Sequence, residues 1–409
     1  GDTRPDHGRD QMTEVPLRAL CLDIEGGFGG SSRSLYHMLK YVSADDAAVS
    51  VWSKKAGPIQ ARYADIGIEA RVMPDLPKVS SLPRFSRNVA VYAQFIKEWL
   101  SSKAFREEFF DTLNGFDIVH FNHEALFWLA RDMKRRKPIP ASMHIRTNLW
   151  DSAFARWQCR TIRDSVDALI FITENEQETF SRHCSETVSG DVLYNVVEPV
   201  AANLPPWPLP KAFTKGKRML IGCLSNYSWH RGLDRIVELA TELRTLGRND
   251  IGFVVAGNMN LSRSLPGDLG TLGRAGLGLA DYAEKHHVAD LITFLGHIDE
   301  PERLIAGVDA LIKPTRENNP WGRDILEALA AGKPVFSVGQ YDRFVTTGKT
   351  GILQPQWDAA ALARGLSHLA DNDDLLAEMG RAAAERTARL CDGPTQANSL
   401  VKIWQRIGT

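Results

Sequence analysis

The stretch Lys313-Pro314-Thr315-Arg316-Glu317-Asn318-Asn319-Pro320-Trp321-Gly322-Arg323-Asp324-Ile325-Leu326-Glu327-Ala328-Leu329-Ala330-Ala331-Gly332-Lys333-Pro334-Val335 decides the fold. An apolar run at 310–313 leads into a polar loop shaped by Pro320 and Gly322. A helical run follows at 324–331, Gly332 caps it, and a second apolar run fills 334–338. Strand, loop, helix, cap and strand make one β-α-β unit. Near-continuous apolar strands belong to a parallel sheet buried on both faces. Moving upstream, apolar runs at 219–224, 252–256 and 292–295 alternate with helical runs at 233–246, 277–287 and 301–308. A further helix reads at 359–369. Such alternation defines a doubly wound α/β domain.

The first half repeats the grammar. Strands read at 18–25, 48–53, 70–74, 118–123, 141–146, 168–173 and 192–195. A helix at 31–42 lines up Leu35, Met38, Leu39 and Val42, and one at 124–136 lines up Leu126, Phe127, Leu129 and Met133. Between the halves, 203–217 holds Pro205, Pro206, Pro208 and Pro210 and reads as a stiff linker. The expected organisation is therefore a polar tail at 1–14, an N-terminal domain at 15–202, the linker, a C-terminal domain at 218–390 and a tail helix within 391–409. In a twin-domain enzyme that helix is positioned to cross back to the first domain. Doubly wound domains take ligands at the carboxyl ends of their strands, so a cleft between the two is the expected site.

Composition narrows the function classes. At 409 residues the chain exceeds one ordinary core. A net charge of −1 gives no global basic field, so nucleic acid is not an expected partner. No apolar run is long enough to span a bilayer, and no secretory signal precedes the first strand. Cys21, Cys159, Cys184, Cys223 and Cys391 are scattered, without CxxC spacing. They read as buried free thiols of a reducing cytoplasm. The acidic cluster at 371–374 reads as a helix cap, so no metal site is expected.

Three segments carry chemistry. Gly26-Gly27-Phe28-Gly29-Gly30-Ser31-Ser32 follows the first strand and opens a helix, which lets a ligand approach the backbone and offers N–H groups to an anion. A dinucleotide fingerprint would need glycine where Ser32 stands and an acid after the second strand, where Lys54-Lys55 follows. A nicotinamide dehydrogenase is therefore disfavoured. In the second half, Arg231-Gly232 before a helix places a cation where phosphate binds. Glu327, about one turn into its helix, can accept hydrogen bonds from a ribose diol, although an acid near a helix start is also favoured by the dipole alone.

The 313–335 segment resembles the signature of retaining GT-B glycosyltransferases, family 4 in particular, of the form E-G-F-G-x-x-x-x-E-A-M-A-x-G-x-P-V. Gly322, Glu327, Ala328, Ala330, Gly332, Pro334 and Val335 match it. The glycine loop, Ser142-Met143-His144, Tyr194-Asn195-Val196-Val197 and Phe294-Leu295-Gly296-His297 resemble the family's N-terminal loop, strand-end histidine, P-N-G-V strand end and F-L-G segment, in family order. The resemblance implies an α/β GT-B architecture, two doubly wound Rossmann-like domains facing across a cleft. It further implies that Glu327 binds the donor ribose and that backbone around Gly296, His297 and Ile298 meets the base. Trp321, Gly322 and Arg323 then lie along the donor sugar and diphosphate. Arg231 stands where the family usually has lysine and grips the diphosphate. His144 lies beside the transferred sugar, and Gly29 and Gly30 cover the phosphates or the acceptor. There are two departures. Asn319 occupies the place of the first signature glutamate, with Glu317 two residues early. The arginine usually paired with the phosphate lysine is missing, with Ser225 or Asn226 near its place and Arg323 or Arg316 as candidates to restore the charge.

The implied activity is metal-independent, retaining transfer of a hexosyl unit from a nucleotide-sugar such as UDP- or GDP-sugar to a glycan, lipid-linked or small-molecule acceptor, with no cofactor. A nucleotide-sugar epimerase of the same fold and a non-catalytic nucleotide-sugar binding protein are the rivals. An acceptor-free assay separates the first, and donor binding without turnover marks the second. A basic amphipathic stretch at 83–111 and a basic run at 131–137 suit a peripheral contact with the inner face of a membrane, or simply solvated helix faces.

Overall fold

The computed structural model describes residues 15–27, 29–79, 89–198, 201 and 203–408. The polar tail at 1–14, Phe28 of the glycine loop and 83–88 of the amphipathic stretch lie outside those residues. The chain forms two compact units, one running to Asn195 and resuming at Gly393, the other Val196–Asp392.

The N-terminal unit is built on seven parallel strands: β1 (Leu17–Asp23), β2 (Ala47–Ser53), β3 (Glu69–Val72), β4 (Ile118–Phe121), β5 (Ala141–Ile145), β6 (Ala168–Phe171) and β7 (Asp191–Val192). Their order is β3-β2-β1-β4-β5-β6-β7. Residues of β4, β5 and β6 are all buried, as strands covered by helices on both faces must be. The amphipathic stretch read at 83–111 is two helices, Val89–Ser101 and Lys103–Thr112, its first six residues lying outside the described ones.

The C-terminal unit has six parallel strands: β8 (Met219–Leu224), β9 (Ile251–Ala256), β10 (Ile292–Gly296), β11 (Ala310–Lys313), β12 (Val335–Val338) and β13 (Gly351–Gln354). Their order is β10-β9-β8-β11-β12-β13. Every strand and helix read from the sequence of this half is present, with β13 and the helices Lys211–Thr214, Gly267–Arg274 and Asp373–Leu390 added. The last of these helices begins inside the acidic cluster, with Asp373 and Asp374 in its first turn, where the helix dipole favours them.

The Pro-rich stretch read as a linker packs instead on the C-terminal unit. Arg303 holds it: Nε donates to Pro205 O at 3.0 Å, its carbonyl accepts from Trp207 N–H at 2.9 Å, and its guanidinium lies 5.6 Å from the Trp207 ring centroid. The tail helix, Gly393–Gly408, groups with the N-terminal unit. Its Trp404 is fully buried there, and a Cβ on Gly393 would stand 2.3 Å from the Tyr41 ring. All five cysteines are buried free thiols.

Candidate active site

In the C-terminal unit strand order reverses between β8 and β11, so the loops leaving those strands diverge and open a crevice. A cavity of about 320 Å³ fills it, lined among others by Ser225, Arg231, Lys313, Glu317, Asn319 and Asp324. Ser228 caps the short turn Trp229–Arg231 through its side chain, which delivers Arg231 to the cavity. The exposed Arg231 guanidinium donates to Ser225 Oγ at 3.1 Å and Asn226 O at 3.4 Å, and makes no ion pair among the described residues. Cys223 also lines the cavity, but burial pushes its thiol up to about 12, so it stays protonated and is a poor nucleophile.

Neither Arg316 nor Arg323, the cations that the sequence suggested beside Arg231, lines this cavity. Arg316 is bound to Asp234 through both guanidinium nitrogens, at 2.9 and 2.5 Å, and stacks 3.6 Å from the Trp229 ring centroid. Its charge is satisfied by a structural strut. Arg323 lies 3.1 Å from Glu327, its side chain 10% exposed, so these two predicted ligand residues face each other on one helix. Lys313, which the sequence reading passed over as a strand end, lines the cavity with Arg231 and donates to Trp321 O. A charged residue at the carboxyl end of a strand beside the order reversal was the available signal. Arg316→Ala is expected to destabilise this unit by about 2 kcal/mol, below the range for a fully buried pair because the partners are partly exposed. Chemical denaturation checks it; an unchanged midpoint would make the strut idle.

Other predicted residues divide in the same way. The Trp321 side chain is buried against Phe344, with ring centroids 5.7 Å apart, and so packs the core instead of lying along a ligand. Asn226 spends its side-chain oxygen on Asn258 N at 2.8 Å, tying two loops. Gly322 lies against Lys313 and Asp324: a Cβ there would stand 3.1 Å from Nζ and 2.8 Å from Oδ1. Asn319 Oδ1 is buried without a hydrogen-bond partner among the described residues. Glu317 lies 4.0 Å from His230. Gly296, exposed His297 and half-buried Ile298 end β10, two strands from β8 and outside the cavity lining.

In the N-terminal unit the reversal lies between β1 and β4. Gly26 is needed for packing, since a Cβ would stand 1.6 Å from Lys55 O. Gly29 and Gly30 face open space. The sequence reading missed a buried polar network here. Asn122 donates to Asp23 Oδ1 at 3.1 Å, Arg146 donates to Asn122 Oδ1 and Asn195 Oδ1, and Glu124 accepts from Arg146 N at 2.9 Å. His144 is fully buried, with Nδ1 3.0 Å from His120 Nε2.

Burial, then nearby Arg146, pushes His120 down to about 3 and His144 well below the usual imidazole range. An unfolded imidazole takes its proton near pH ~6.5, whereas these rings stay neutral. Below that pH the unfolded state binds more protons, so their contribution to stability is complete above ~6.5 and is lost as pH falls. Each ring contributes a slope of about 1.4 kcal/mol per pH unit in the window where only the unfolded form is charged. Asp23 acts in the opposite sense, because burial raises its pKa. The readout is therefore a comparison: His120→Gln should flatten the denaturation slope between about pH 6 and 4 by close to one proton relative to the parent. Equal slopes would show the buried ring titrating normally.

Two doubly wound parallel sheets, one with a switch-point crevice lined by Arg231, which makes no ion pair among the described residues, form an α/β protein of the kind that takes ligands at its strand ends. The chain belongs to the glycosyltransferases: residues 28–199 match Glycosyltransferase Family 4, and residues 209–386 match Glycosyl transferases group 1. It is 32% identical over 159 residues to the glycogen synthase of Mycobacterium tuberculosis, covering 37% of this chain and 38% of that protein. It is 34% identical over 131 residues to the D-inositol 3-phosphate glycosyltransferase of Streptomyces avermitilis, covering 31% and 28%. The chain thus spans less than two-fifths of the length of these curated relatives. Among solved structures, Anabaena HepE in complex with UDP superimposes with a TM-score of 0.69 at 16% identity, covering 95% of this chain and all of that one. That likeness shows the fold, the GT-B architecture.

Proposed function

We propose that this chain moves a sugar from a nucleoside-diphosphate-sugar donor to an acceptor hydroxyl, with retention of anomeric configuration and without a metal ion. Arg231 carries the proposal: an exposed guanidinium on the switch-point cavity, hydrogen-bonded only to neutral oxygens and unmatched by any carboxylate among the described residues. Departure of a nucleoside diphosphate develops negative charge on the leaving oxygen, and fixed cations stabilise that charge. Arg231 supplies one and Lys313 the second. Glu327 accepts from the ribose hydroxyls, with Arg323 orienting its carboxylate, and the backbone at 296–298 meets the base. Asn319 and Glu317 face the sugar. The acceptor's proton passes to the leaving phosphate as the new glycosidic bond forms on the same face.

A thermal-shift screen with UDP-, GDP-, ADP- and TDP-sugars tests the donor. Binding to the folded state raises the midpoint by mass action. HepE is solved with UDP, which puts UDP-sugars first. If no nucleotide sugar moves the midpoint, the proposal fails. Binding without turnover is a second reading, favoured by Asn319: it offers an enclosed, uncharged amide where the family resemblance has a carboxylate. A donor that stabilises the chain yet is neither hydrolysed nor transferred selects it.

The acceptor is lipid-linked and met by peripheral contact at a membrane surface. In support, the helix Val89–Ser101 exposes Val89, Tyr92, Ile96 and Leu100 along one stripe, beside exposed Lys97 and Lys103. No described helix is long and apolar enough to cross a membrane. Co-sedimentation with anionic but not zwitterionic vesicles is expected at low salt, and its absence ends the membrane proposal.

A further inference from the structure

β5 sends Ser142 and His144 to one face of the N-terminal sheet, and the register sets His120 of β4 beside Ser142. All three are fully buried, as is Trp404 of the tail helix. Trp404 Nε1 donates to Ser142 Oγ at 3.1 Å, Ser142 Oγ lies 2.8 Å from His120 Nδ1, and His120 Nε2 lies 3.0 Å from His144 Nδ1. The two imidazoles meet edge to face at 89°.

The proton positions along this chain follow from counting donors. An indole N–H only donates, so Ser142 Oγ accepts from Trp404. Ser142 has a single hydroxyl hydrogen, and among the described residues His120 Nδ1 is its only acceptor. Were His120 protonated on Nδ1, the Ser142 hydrogen would be buried with nothing to accept it. His120 Nδ1 therefore accepts, and the neutral ring carries its proton on Nε2. That proton is donated to His144 Nδ1, which leaves the proton of His144 on its own Nε2. Nε2 of His144 is enclosed and has no partner among the described residues. An orphaned buried N–H marks a place for a further acceptor, a water or a ligand oxygen.

We infer that Ser142, His120 and Trp404 are positioning residues that lock His144 as an Nε2–H hydrogen-bond donor. Trp404 holds the hydroxyl, the hydroxyl sets His120, and His120 sets His144. The inference rests on the transfer reading in one respect: the acceptor that His144 awaits is an oxygen of a ligand bound to the N-terminal unit. So held, His144 gives a hydrogen bond to that oxygen and takes no proton from the acceptor hydroxyl.

Neutron diffraction from the perdeuterated full chain, or ¹⁵N shifts of the full chain labelled at histidine, reads the tautomer directly. His144 protonated on Nε2 and bare on Nδ1 is the expected result; a proton on Nδ1 overturns the inference. Ser142→Ala should give both tautomers at His144, and Ser142→Thr, which keeps the hydroxyl, should restore one. A single tautomer in Ser142→Ala removes Ser142 from the positioning role. With a donor that turns over, Ser142→Ala should lower kcat at least about two-fold at unchanged KM, since only part of the population carries the competent tautomer. If the wild-type chain turns over no nucleotide sugar, the transfer reading fails while the tautomer result stands by itself.

Discussion

Replacing Arg231 with alanine is expected to slow sugar transfer by about 10²–10³-fold, the usual cost of deleting one fixed group that stabilises transition-state charge. The fold should hardly notice. Arg231 is exposed, and its two hydrogen bonds reach neutral oxygens of its own loop. Surface substitutions of that kind usually move stability by no more than about 0.5 kcal/mol. Arg231→Lys keeps the charge and loses the planar fork, so it should fall between the two. Steady-state turnover of the donor chosen by the thermal-shift screen, beside the unfolding midpoint of each variant, checks this. Near-normal turnover in Arg231→Ala would take the diphosphate away from this cavity. Arg316→Ala is the internal contrast, expected to cost stability first.

The contrast between these two arginines explains how much the sequence could tell. Strands were legible because burial on both faces writes a nearly continuous apolar run, and β8 and β11 were read to the residue. β13 was not, since Gly351-Ile352-Leu353-Gln354 is short and half polar. It is recognisable only beside β12, where a Cβ on Gly351 would stand 1.8 Å from Val335 O. The positions of Arg231, on a turn before a helix, and of Glu327, in the first turns of another, were legible because each is a local landmark. Arg316 was misread because its partner Asp234 lies 82 residues away in the chain. Trp321 was misread because its burial against Phe344 is a tertiary fact. Asp23, Asn122 and Arg146 form their network across strands 24 to 99 residues apart, which no local pattern records.

Gly232→Ala should be among the most damaging substitutions of a single methyl group in the C-terminal unit. Gly232 has φ +68°, which alone costs an L-residue roughly 1–2 kcal/mol. A Cβ there would also stand 2.2 Å from Pro314 O, a contact with backbone that cannot swing aside. The two loops are welded at this point. Arg316 N donates to His230 O at 2.8 Å, Thr315 Oγ1 to the same carbonyl at 3.2 Å, and Arg235 Nη1 to Thr315 O at 2.6 Å. An added methyl must part the β8 loop from the β11 loop, break some of these bonds and separate Arg231 from Lys313. Strain plus broken bonds adds to about 3–4 kcal/mol, in the range of severe single substitutions. Gly247→Ala is the control. Its φ is +74°, yet nothing stands within 4 Å of the added Cβ, so it should show the backbone cost alone. Denaturation and nucleotide-sugar thermal shifts on both variants separate the terms. Equal destabilisation with donor binding retained in both would mean that the contact with Pro314 does not set the cavity; binding lost only in Gly232→Ala ties the shape of the site to this one glycine.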